Sequence, residues 1–145
     1  MRLQFLCPEH RRALMKHPVE AADYWHETLE RLRRTEPRAA TPCRVNLAGC
    51  ALEAAGIYLH ARTECPAEDI QCYTDTALSL IDLLAELHQS RLALIVVAGA
   101  NAMVEQLALG GGDQRVALEA SRRLTLEGTF WYTSSANHLH SGTVH

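Results

Sequence analysis

Several residue pairs in this chain carry the types and spacing that chemistry uses. Cys7-Pro8-Glu9-His10 sets a thiol and an imidazole three residues apart, close enough in a short turn to reach one zinc ion at ~2.0–2.3 Å. A closed zinc site needs two more ligands, and no second C-x-x-C or H-x-x-x-H follows, so capping or packing by Cys7 is the plainer expectation. His26 with Glu30, and His60 with Glu64, each place an imidazole and a carboxylate one helical turn apart. Helical bundles hold di-iron with such neighbours, but through a Glu-x-x-His on each of two helices. This chain offers only Asp23-x-x-His26. These four residues define the alternative reading, a di-iron or zinc helical bundle, and it requires them to converge.

Other motifs point to less. His88 has Arg91 nearby but Leu92 where a phosphotransfer histidine would want glycine. The basic run at Arg31, Arg33 and Arg34 follows Glu27 and Glu30, in the order that favours intrahelical pairs. Gly110-Gly111-Gly112-Asp113 precedes a helix, but no lysine follows and Asp113 would repel phosphate, so it reads as a linker. Cys43/Cys50 and Cys65/Cys72 would stand two turns apart along a helix, ~10 Å, too far for a disulfide. No nucleophile triad can be assigned, and no cofactor is expected.

The elements that must carry these residues are helical. Pro18 opens a helix with the stripe Ala22, Trp25, Leu29 and Leu32, and Glu36-Pro37 stops it. Thr41-Pro42 opens a second, striped by Val45, Ala48, Leu52, Ala55 and Leu59. Cys65-Pro66 opens a third, with Ile70, Tyr73, Ala77, Leu80, Ile81, Leu84 and Leu87 inward. Ser90 is the expected cap of a helix from Arg91 to Leu109, although neither glycine nor proline breaks the chain at His88-Gln89-Ser90. That helix is apolar on nearly all sides, which predicts a central position covered by several neighbours. Asp113 caps a last helix to about Glu127, and a short one precedes them all near Pro8–Lys16.

The expected fold is therefore all-α, with five or six antiparallel helices as stacked hairpins or an irregular bundle. Residues 1–127 make one domain. Residues 128–145 form a tail holding Phe130, Trp131 and Tyr132, then His138, His140 and His145.

Across residues 77–100 the pattern resembles a tetratricopeptide-type helical repeat. Ala77, Leu80 and Leu84 take first-helix packing positions, and Ala93, Val97 and Ala100 form the small–large–small series of the second helix. Ala48, Leu52 and Ala55 repeat that series, followed by Tyr58. The resemblance covers about half the chain and is degenerate, since the two series stand 45 residues apart against the family's ~34. It implies a helical-repeat fold that binds a peptide or another protein in a groove.

Composition agrees with one globular domain: 145 residues, 48% apolar and 21% charged. A net charge of −3 argues against nucleic acid as a partner. Five cysteines, an apolar run too short to span a membrane and no export signal lead us to expect a cytoplasmic protein with reduced thiols. The function expected is that of a non-enzymatic adaptor or chaperone. Tyr24, Trp25, Tyr58 and Tyr73 would line its groove, and Phe130, Trp131 and Tyr132 would serve a partner or a homodimer.

Overall fold

A computed structural model describes residues 3–35 and 39–141, with side chains described only as far as Ser134. Glu36-Pro37 and the histidines at 138, 140 and 145 thus lie outside the described groups. Six helices follow one another: α1 (Pro8–Lys16), α2 (Pro18–Arg34), α3 (Pro42–His60), α4 (Ala67–Glu86), α5 (Ser90–Leu109) and α6 (Gln114–Ser141). There is no strand among the described residues. Each helix packs antiparallel on the next, as the periodicity predicts, and α6 also reaches back to α4.

The helix starts are made by the residues that announce them except at α5, where Gln89 stands at the N-cap position without a side-chain cap bond and Ser90, the expected cap, is the first helical residue. The Thr41 hydroxyl accepts the Arg44 N–H at 3.2 Å, and Asp113 accepts those of Arg115 and Val116 at 3.0 and 3.1 Å. Pro8, Pro18 and Pro42 stand where the missing N–H costs nothing.

α4 and α5 are two helices. Leu87 ends α4, His88 takes a left-handed φ of 59°, and Gln89 N–H reaches back to Leu84 O at 2.8 Å. With the His88 N–H on Ala85 O, this is a Schellman turn in which histidine replaces the usual glycine. At the next corner Gly111 supplies the positive φ of 101° at no steric cost.

The core runs through all six helices. Trp25 is fully enclosed and its indole N–H donates to the Thr76 hydroxyl at 3.1 Å, tying α2 to α4. Ala48, Ala51, Ala54 and Ala55 on α3 are buried without bulk, which brings α2 and α4 close on either side.

Three further expectations are corrected. The last helix does not end near Glu127 but runs on to Ser141. Gly128, the first residue of the expected tail, is a point of close approach: a Cβ there would stand 3.0 Å from the Val97 methyl of α5. And α5 is not covered all round. Nor is its apolar run too short to span a membrane, as expected above: by length and composition Ser90–Leu109 suffices, with a mean hydropathy of 1.8, and only 33% of that stretch is buried. α4 and α6 cover two sides, contact with α3 is sparse, and Ala98, Gly99 and Ala102 are exposed.

Candidate functional site

The uncovered side of α5 faces α3 across a groove of about 720 Å³. Because α3 and α5 are both antiparallel to α4, they run side by side with α4 beneath them. Tyr73 and Leu80 of α4 form the floor. Gly49, Leu52, Gly56, Ile57 and His60 make the α3 wall, and Ile95, Val96, Gly99, Ala102, Met103 and Gln106 the α5 wall. A smaller recess of about 230 Å³ adjoins it at His60, Met103 and Gln106 and extends towards Cys65 and Gly110.

Small residues set the width. Gly56 and Gly99 would each accept a Cβ with no other atom within 4 Å, so both open directly onto the groove. Gly49, two turns before Gly56 on α3, is already occupied: a Cβ there would fall inside the Phe5 ring.

Phe5 belongs to a non-helical strap, Leu3–Leu6, that closes one end of the groove. Glu53 holds the strap. Its carboxylate accepts the Phe5 N–H and, at 3.3 Å, the Leu6 N–H, while its other oxygen pairs with Arg11 Nε at 3.0 Å. Arg11 in turn donates to Leu6 O at 2.7 Å. The charge of Glu53, largely removed from water, is thus matched by a guanidinium and two backbone donors.

The predicted aromatic lining lies mostly elsewhere. Tyr73 reaches the groove as floor, only 5% exposed. Trp25 is core. Tyr24 is half-buried against the His10 ring, with centroids 4.6 Å apart, and burial and the neighbouring Cys50 push its phenol up. Tyr58 packs towards Trp25, 6.4 Å between ring centroids, and its hydroxyl accepts from Arg62, which also pairs with Asp69 at 3.3 Å. Phe130 and Tyr132 are exposed on α6, while Trp131 is half-buried and donates to Glu127 at 2.9 Å. Gly49 and Gly56, which shape the groove, carry no lining prediction; their seven-residue interval was the available signal.

The metal alternative is not assembled. His26, Glu30, His60 and Glu64 are all exposed, and Glu30 pairs with Arg33 and Arg34 at 3.4 and 3.1 Å. No group of three or more His, Cys, Asp or Glu among the described residues is placed to hold an ion. Cys7 instead caps α1, its sulfur accepting the His10 N–H at 3.4 Å. Burial raises the Cys50, Cys65 and Cys72 thiols, which disfavours the thiolate that a nucleophile or a ligand requires.

One charged group departs strongly from its ordinary state. Asp82 on α4 is pushed up to about 7, first by burial, then by a hydrogen bond to Glu127 of α6 and by the charges of Glu127 and Glu86. This carboxyl pair, flanked by Trp131, joins α4 to α6 and lies outside the groove.

A scan against protein-family models and searches of curated proteins and of solved structures return no match to this chain. What the fold defines is a six-helix all-α protein with sequential packing.

Proposed function

We propose that this chain is a non-enzymatic binding protein, an adaptor or chaperone of degenerate tetratricopeptide-like architecture, that takes a protein or peptide segment in the α3–α5 groove and works in the cytoplasm without a cofactor. The observation that carries this is the pairing of an uncovered, strongly apolar α5 with a recessed channel of about 720 Å³. A recessed, mainly apolar channel of about this volume is the usual form of a binding site. A concave channel with glycines in both walls suits an inserted chain better than a lipid surface, which would want a convex apolar face.

The test is photo-crosslinking in cells with p-benzoylphenylalanine at Ala102, an exposed residue of the α5 wall that leaves both glycines free. The expected result is a discrete protein adduct that disappears when Gly56→Leu fills the opposite wall. Adducts with lipid only, or protein adducts indifferent to Gly56→Leu, would overturn the proposal.

A second reading, self-association, draws on Leu118, Leu126, Phe130 and Tyr132, which are 72%, 64%, 58% and 67% exposed on α6. Sedimentation should then show a dimer that Leu126→Lys with Phe130→Ser converts to monomer, and a wild-type monomer would remove this reading.

A further inference from the structure

The groove already holds one piece of polypeptide, and the way it is held states what else would fit. The strap is non-helical, and it places Phe5 over a glycine, where the absence of a Cβ lets the ring lie against the backbone of α3. Glu53 serves its backbone N–H groups.

The same notch then recurs. Gly56 lies seven residues after Gly49, about 10 Å further along the same face of α3, with Gly99 on the opposite wall, and both are open. The floor beneath is aromatic and aliphatic, Tyr73 and Leu80. Among the described Asp, Glu, Lys and Arg side chains, only Arg11 and Glu53 line the groove, and they are paired with each other. Nothing there would compensate a charge on the occupant, and burying an uncompensated charge is costly. At the far end His60 and Gln106 offer hydrogen-bonding side chains to a peptide backbone, as Glu53 does at the near end.

Resting on the groove-binding reading above, we infer that the Gly56/Gly99 notch takes an uncharged, extended segment of a partner polypeptide, continuing the line of the strap, with a phenylalanine-class side chain seated over the glycines as Phe5 is seated over Gly49. Ten ångströms is spanned by about three extended residues, so the partner needs only a short stretch to fill the open length.

The test uses the full chain and a fluorescein-labelled, end-capped peptide of sequence Ser-Leu-Gln-Phe-Leu-Ser, read by fluorescence anisotropy. The wild-type protein should bind it. Gly56→Leu and Gly99→Leu should each weaken binding by at least about tenfold. Replacing the peptide's phenylalanine by lysine should abolish it. The two variants should melt no lower than wild type, because each new side chain enters open space and leucine favours a helix over glycine. Lost binding therefore cannot be put down to unfolding.

Equal binding to wild type and both variants, or no binding to wild type, would overturn the inference. So would binding only of a stapled helical peptide with the same apolar side chains, blocked by the two leucines. In that case the groove still binds polypeptide, and the crosslinking result at Ala102 stands independently.

Discussion

Asp82 shows how one side chain can set a pH dependence for the whole chain. Its carboxyl is pushed up to about 7 in the folded state, first by burial, then by the hydrogen bond to Glu127 and the charges of Glu127 and Glu86. The unfolded chain holds the same group near 3.8. The folded state therefore binds the proton more tightly. The stabilising contribution is full below about pH 4 and disappears as the pH rises through about 7. Asp82 keeps solvent contact, which screens the repulsion and limits its size. Asp82→Asn should raise the melting temperature at pH 8 and leave it unchanged near pH 4. Thermal melts of the two proteins across that range check this, and a difference that does not depend on pH would refute the shared proton. Trp131 supplies a local reporter: its indole donates to Glu127, the partner of Asp82, so its fluorescence should follow the Asp82 transition in wild type and lose that transition in the variant.

At the scale of helices, what the sequence makes legible is whatever is decided locally. Pro18, Thr41-Pro42, Pro66 and Asp113 set helix starts through caps and missing donors within one turn, and each prediction made from them matches the structure. The α4 stripe from Ile70 to Leu84 is buried as its period requires. The tail expected from Gly128 is helix instead, and the close contact of Gly128 with Val97 of another helix leaves no mark in the local sequence. The aromatic residues mislead too: Trp25 fills the interior, Tyr58 packs half-buried against the core, and the groove is shaped where side chains are missing. A channel between α3 and α5 depends on residues about forty positions apart, and no local rule reports it. The α4–α5 corner is intermediate, since its Schellman bonds follow from geometry that histidine adopts only under strain. Glycine would remove that strain, so His88→Gly should stabilise the protein by about 1 kcal/mol. For a domain of this size that is a rise of roughly 2–4 °C in Tm. A fall in Tm would mean that the His88 side chain makes a contribution larger than the backbone cost.

Over the whole molecule, the helices are not equally committed. α1 and the strap are the lightest contributors to the core: they pack mainly on α2 and α3, and Leu6 and Leu14 are their buried contacts. The rest of their attachment converges on Glu53, which holds two backbone N–H groups and the Arg11 guanidinium. Removing that carboxylate leaves three donors without their acceptor, and Arg11 without its counter-ion, beside an apolar groove. Hydrogen bonds to a charged group contribute ~1.5–3 kcal/mol each at most, and they are not additive, so Glu53→Ala should cost about 2 kcal/mol in all. The distribution of that loss is the sharper expectation. Local opening follows the least committed unit, so hydrogen exchange should accelerate over residues 3–16 and at the Gly49 turn of α3. The amides of α4 and α5 should keep their protection. Release of Phe5 would also vacate the Gly49 notch and lengthen the open channel, so the variant should bind an apolar fluorescent probe more strongly than wild type. Uniform acceleration across all six helices would instead mean that Glu53 supports the entire fold, and that the strap is a structural element with no separate freedom to leave the groove.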